Sequence, residues 1–138
     1  MHSWLTAETT YEGFPLLLRR RADLDVESLR PAFPSLAVVT HEFIVREPSG
    51  LPDADYNDGL AEMDLELVTA FDAKYTGVPA LVETFGGKRH YYFYVSPDAD
   101  VSAAISAVAR RYPGERLSWS IRADPKWSFI ERYAQDHF

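Results

Sequence analysis

An α+β sandwich is predicted by three features of this 138-residue sequence. Lys88 to Ser96 carries Tyr91, Tyr92, Phe93 and Tyr94 in succession, residues that suit a pleated surface, and Gly86-Gly87 just before it supplies the positive φ values of a tight hairpin with Val78 to Phe85. Tyr56, Leu60, Met63, Leu67 and Phe71 recur at steps of four, three, four and four, which places them on one stripe of a helix turned toward a core. Leu36 to Val45 is the longest β-rich run and reads as a central strand.

The remaining elements follow in order. Leu5 to Thr9 and Phe14 to Arg21 flank Tyr11-Glu12-Gly13-Phe14, an N-terminal hairpin whose second strand contains Pro15, a residue without an N–H that belongs at a strand start or edge. Leu24 to Pro34 is irregular and broken by prolines, with one helical turn around Val26 to Arg30. After the central strand, Glu47-Pro48-Ser49-Gly50-Leu51-Pro52 interrupts the chain and delivers Asp53 as the N-cap of the striped helix. Gly77 opens Val78 to Phe85. Ser96-Pro97-Asp98 predicts the start of a second helix, with a capping hydroxyl and proline at the first helical position; Val101, Ile105, Val108 and Tyr112 line its buried face, and Pro113-Gly114 stops it. Leu117, Trp119 and Ile121 alternate with Ser118, Ser120 and Arg122, the pattern of a half-buried strand. A third helix is expected from Asp124-Pro125, with Trp127, Ile130, Tyr133 or Ala134, and His137 along one side. From residue 36 the order is βαββαβ, the split βαβ arrangement of a ferredoxin-like sandwich, with an N-terminal β-hairpin before it and a C-terminal helix after it, all in a single domain spanning 1–138.

With 46% hydrophobic and 14% aromatic residues, the chain has the material for one core that buries roughly two-thirds of the unfolded surface. The absence of cysteine excludes disulfides, thiolate nucleophiles and cysteine-ligated metals, and fits a reducing compartment. No basic stretch followed by an apolar run opens the chain, and no segment reaches the length of a membrane span, so a cytoplasmic location is expected. A net charge of -7 opposes broad affinity for nucleic acids and anionic membranes, which require Lys and Arg to neutralise phosphate, and makes a basic protein surface the easier partner. Asn57-Asp58-Gly59 lacks the alternating oxygen ligands of a calcium loop, and no His-x-x-x-His spacing occurs. No catalytic, cofactor-binding or metal-ligating residue is assigned on these grounds.

Several short features recur together: Trp4 with Gly13-x-Pro15, Gly50-x-Pro52 before the acidic helix, Gly77, the Gly87 turn into the Tyr92-Phe93-Tyr94 strand, and the closing Asp124-Pro125-x-Trp127. In these the chain resembles the bacterial family called domain of unknown function 695. The resemblance covers almost the full length and implies an α+β bacterial domain with no established biochemistry. The element order and the region from Asp124 to Tyr133 are also similar to the ribonuclease E inhibitor called regulator of ribonuclease activity B, an acidic protein that acts by binding another protein. That second similarity implies a mode of action without naming a partner. Trp127 itself reads as a core plug that docks the last helix.

Four surfaces draw attention. On the first helix, Asp55, Asp58, Glu62 and Glu66 fall at spacings of three, four and four, a negative stripe opposed only by Lys74. Like charges at such spacing each cost a few tenths of a kcal/mol, so either this is a solvated face or it docks a basic protein surface. Arg19, Arg20 and Arg21 form the one basic cluster, read as a charged guard on a strand edge, with an anion site or a partner for the acidic helix as the sharper options. In the aromatic strand, His90, Tyr92 and Tyr94 share one face while Tyr91, Phe93 and Val95 share the other, and the face away from the core helices requires cover by the terminal helix or a second subunit, or binds a ligand. Stacking on RNA is disfavoured by the missing glycine at Arg89 and by the acidic balance. His41 and His90, on adjacent central strands, are read either as ordinary satisfied or exposed histidines or, if they share a face, as an acid–base or metal pair with Glu42 or Tyr92.

The expectation is therefore a non-catalytic protein-interaction or regulatory module, monomeric or homodimeric, that binds a basic protein through Asp55, Asp58, Glu62 and Glu66 and uses no cofactor, nucleic acid or membrane. The alternative is a small-ligand-binding protein or enzyme built on the face around His41, His90, Tyr92 and Tyr94.

Overall fold

A computed structural model describes residues 3–43, 48–51 and 54–137. The elements are β1 (Trp4–Tyr11), β2 (Phe14–Arg21), α1 (Val26–Leu29), β3 (Ser35–Glu42), α2 (Ala54–Gly59), α3 (Ala61–Val68), β4 (Gly77–Phe85), β5 (Lys88–Val95), α4 (Val101–Arg111), β6 (Arg116–Ala123) and α5 (Ser128–His137). Two tight turns organise the strands. Glu12 and Gly13 have φ of 53° and 83°, and Gly86 and Gly87 have 59° and 84°, so each hairpin turns on two residues of positive φ, the geometry that matches the right-handed twist of the strands it joins.

The protein is α+β. Its six strands form one sheet in the order β1-β2-β4-β5-β3-β6, with every neighbouring pair antiparallel. Pro15 stands at the start of β2, one of the two places expected for it, while the reading of Arg19, Arg20 and Arg21 as a guard on a strand edge is corrected by this order: β1 and β6 are the edges, and β2 lies between β1 and β4. Pro79 lies in the inner strand β4, and the register shifts between Pro79 and Leu81, a local irregularity where proline cannot donate.

Register decides what each face buries. Ala37 opposes Phe93 and Val39 opposes Tyr91, and this face packs beneath α3 and α4 with Leu60, Met63, Leu67, Phe71 and Ile105. Leu36 opposes Tyr94 and Val38 opposes Tyr92, and this face lies beneath α1 and α5. Both sides of the sheet are therefore covered by helices. On the second side Trp127 is fully buried, stacks on Tyr94 at 4.1 Å between ring centroids, and donates its indole N–H to the Phe33 carbonyl at 2.8 Å. The last helix is docked by the plug that the sequence predicts.

Three helix boundaries differ from expectation. The striped helix is two helices, α2 and α3, broken at Gly59–Leu60, where the Leu60 N–H bonds back to Asn57 and the Leu60 carbonyl accepts from Asp64. The apolar stripe survives the break because Leu60 stays in phase with Met63 and Leu67. The second helix starts not at Ser96-Pro97-Asp98, which forms a turn closed by Ala99 N–H on the Ser96 carbonyl, but at Val101, capped by the Asp100 carboxylate on the Ala103 N–H at 2.9 Å. The third helix starts at Ser128 rather than at Pro125. Asp124 still caps it, accepting from Ser128 and Phe129 at 2.9 and 3.0 Å, while Trp127 takes φ of 57° to turn its indole inward. The expected N-cap Asp53 and the strand extension to Ile44 and Val45 lie outside the described residues, as do the side chains of Ala134 and His137. No described helix is long and apolar enough to cross a membrane.

Candidate functional site

A charged residue pointing into a core-facing layer requires a partner, and two such residues define a cleft between the β1–β2 hairpin and α2–α3. Arg89 stands on β5 on the same face as Tyr91 and Phe93, and Asp64 stands on α3 four residues after Leu60 and three before Leu67, on the apolar stripe itself. Arg19 reaches the same place from β2. Its Nη1 and Nη2 donate to the two oxygens of Asp64 at 2.9 and 2.6 Å, a bidentate grip. Tyr91 donates its hydroxyl to Asp64 Oδ1 at 2.6 Å. Arg89, only 8% exposed, donates Nε to Thr84 at 2.8 Å and Nη2 to Asn57 at 3.0 Å, which leaves Nη1 facing Asp64 at 3.8 Å.

Arg19, Asp64, Arg89, Thr84 and Asn57 line a cavity of about 640 Å³, together with Glu8 and Asp58. Depth separates the charges. Arg89 is buried and Arg19 and Asp64 are half-buried, whereas Glu8 and Asp58 are exposed. Burial pushes the Asp64 carboxyl up, but hydrogen bonds and charge from Arg19, with Tyr91 and Arg89 adding, outweigh it and hold the pKa below the usual aspartate value. Burial, followed by the Asp64 charge, drives the Tyr91 pKa well above that of a free tyrosine, so its hydroxyl is a fixed donor. The arrangement presents a preorganised cationic floor with an anionic mouth.

The residues singled out from the sequence are distributed elsewhere. Asp58 and Glu62 are exposed, and Asp58 lines the cleft; the Asp55 side chain lies outside the described residues. Glu66 is turned to α4, where it pairs with Arg111 and accepts from the Tyr112 hydroxyl. The break at Gly59–Leu60 puts Asp58 on α2 and Glu62 and Glu66 on α3. Arg19 is the internal partner of the acidic helix, through Asp64 rather than the stripe. Arg21 pairs with Asp23 at 2.7 Å, and the hydrogen bond from its guanidinium, ahead of a small opposing effect of burial, lowers the Asp23 pKa to about 2.

The expected His41–His90 pairing is overturned by register. Thr40 opposes His90 and His41 opposes Arg89, so the two imidazoles project from opposite faces of the sheet. His90 bonds Thr40 at 3.0 Å; burial lowers its pKa, against the opposing charge of Glu83. Tyr92 stacks on Phe129 of α5 at 4.6 Å, and Tyr94 is fully buried against Trp127, with its hydroxyl on Asp124 at 2.7 Å. The last helix occupies the face that was to hold a ligand. His41 is fully buried on the other face, with Nε2 at 3.0 Å from Glu115, which also accepts from the Tyr56 hydroxyl at 2.8 Å. Among the described residues no group of three or more His, Cys, Asp or Glu side chains is placed to hold a metal ion.

Fold and site together define an α+β domain with a small-molecule-sized cleft whose floor is basic. Residues 2–133 match the model of the family described as "Family of unknown function (DUF695)". The chain belongs to that family. Neither the curated proteins nor the solved structures contain a match, and the similarity to the ribonuclease E inhibitor gains no support from these comparisons.

Proposed function

We propose that the protein is a binding module whose cleft takes a small amino-acid-like zwitterion, carboxylate inward and cationic group toward the mouth. One observation carries this reading: Arg19 and Arg89 converge on a single carboxylate, Asp64, inside a cavity of about 640 Å³ whose exposed rim is acidic. The volume lies within the few hundred to about 1,000 Å³ typical of ligand pockets. Each guanidinium carries five N–H groups, of which the described hydrogen bonds engage two on Arg19 and two on Arg89, so donors remain for a second carboxylate. Glu8 and Asp58 disfavour a dianion such as phosphate and favour a positive group at the mouth.

The test is a thermal-shift panel of free amino acids, the corresponding amines without the carboxylate, dicarboxylates and inorganic phosphate. Ligand at about 100 times Kd stabilises by about 2.7 kcal/mol, a shift of several degrees for a domain of this size. Stabilisation by a subset of zwitterions, lost in Arg89→Gln, supports the reading; a panel in which amines or phosphate do as well, or nothing stabilises, rejects it.

A second reading retains a basic protein surface as partner, through the exposed carboxylates Asp58 and Glu62. Such docking weakens steeply with salt, whereas a ligand clasped in the cleft is less sensitive. The strand order β4-β5-β3-β6, with α2–α3 and α4 on one side, supports a ferredoxin-like core within the six-stranded sheet. The lack of cysteine supports a cytoplasmic setting.

A further inference from the structure

The sheet ends on two edge strands, and they are unlike each other. β1 carries Glu8 in its middle, a charge that discourages pairing with another edge. β6 runs eight residues in unbroken register with β3, and its centre, Leu117-Ser118-Trp119-Ser120-Ile121, holds no charge, proline or glycine. Trp119 and Ile121, on one face of this strand, are 42% and 47% exposed. The outer side of β6 has no neighbouring strand among the described residues.

We propose that β6 pairs antiparallel with β6 of a second copy of this chain, about a two-fold axis through Ser120, so that two sheets join into one. Directly opposite residues in an antiparallel pair project to the same face, so a two-fold axis normal to the sheet passes through a residue position rather than between two. Centred on Ser120, Trp119 opposes Ile121 of the second copy, and Ile121 opposes its Trp119. Ser118 opposes Arg122, and no two like charges of β6 stand opposite each other. Both large exposed apolar side chains of the strand meet apolar partners. Centred one residue earlier, on Trp119, the pairing sets Arg116 against Arg122 at both ends, a like-charge juxtaposition that costs stability.

The chain has no cysteine, so a single introduced one reports the register. Ser120→Cys lies opposite itself at a Cα separation of about 4.5–5.5 Å, within disulfide reach whichever kind of antiparallel pair it forms. Ser118→Cys lies about 13 Å from its counterpart along the strands, out of reach. Under mild oxidation Ser120→Cys is expected to form a disulfide-linked dimer roughly tenfold or more faster than Ser118→Cys, with Trp119→Lys in the Ser120→Cys background abolishing it. The unaltered chain is expected to sediment as a concentration-dependent dimer. Equal cross-linking of the two serine variants, or a monomer throughout the dilution series, overturns the proposal. Should the lysine variant fail to fold, the two cysteine variants still decide, and none of these outcomes bears on the cleft.

Discussion

Asp64 is the residue on which the cleft turns, because it receives Arg19 and Tyr91 directly and faces Arg89 at 3.8 Å. Its removal leaves two guanidiniums and a buried hydroxyl without their common acceptor. Asp64→Asn is expected to cost about 1.5–3 kcal/mol, read from urea unfolding midpoints. The same residue contributes to acid sensitivity. Its folded pKa lies below the 3.8 of a free aspartate, so its contribution is complete above that pH and is lost as pH falls through the lowered value. Asp64→Asn is therefore expected to flatten stability below about pH 4 relative to the parent, measured as midpoints across an acid series. The signal for this site was present in the sequence: Asp64 occupies the Leu60–Leu67 stripe, and Arg89 occupies the Tyr91–Phe93 face. A charge at a core-facing period marks a buried partner, whereas counting acids along the helix marks Glu66, which pairs with Arg111 and accepts from the Tyr112 hydroxyl. Arg19 as a partner for the acidic helix was one of the options open in the sequence, but that its acceptor is Asp64 was not legible, because it depends on where β2 lies relative to α3.

At the scale of elements, the strands were legible because turn chemistry and aromatic runs act locally, and the helix boundaries were less so. Ser96 and Asp100 are both competent caps, and the choice of Asp100 follows from how α4 seats Val101, Ile105 and Val108 on the sheet. The start of α5 is set by the same kind of tertiary demand, since Trp127 adopts a left-handed backbone conformation to stack on Tyr94. The histidine pairing failed on parity alone: one step of register separates His41 from the residue opposite His90 and sends it to the other face. Because Trp127 is the largest fully buried side chain beneath α5, Trp127→Ala is expected to destabilise by about 3–5 kcal/mol, and proteolysis is expected to cut first within the last helix. Calorimetry and limited trypsin digestion check both parts; an unchanged melting temperature contradicts the plug.

Over the whole molecule, helices on both faces of one sheet bury Tyr91 and Tyr94 and partly bury Tyr92 and Tyr133. Burial raises the pKa of Tyr91, Tyr92, Tyr94 and Tyr133 above the reference of 10.0, with Asp64, Glu83 and Asp124 adding to it. Each keeps its proton in the folded state where the unfolded chain has released it, so stability is present below pH 10 and falls as pH rises toward the raised values. Alkaline titration of tyrosinate absorbance, run beside circular dichroism, is expected to show a late step that coincides with unfolding. The central claim, that two guanidiniums converging on Asp64 form a receptor for an amino-acid-like zwitterion, is tested most directly by following the Arg19 and Arg89 side-chain N–H resonances while free amino acids and their decarboxylated amines are titrated. The account predicts saturable shifts at both arginines with zwitterions and none with the amines. Arginine signals that stay fixed under every amino acid, or that move equally with the amines, contradict it.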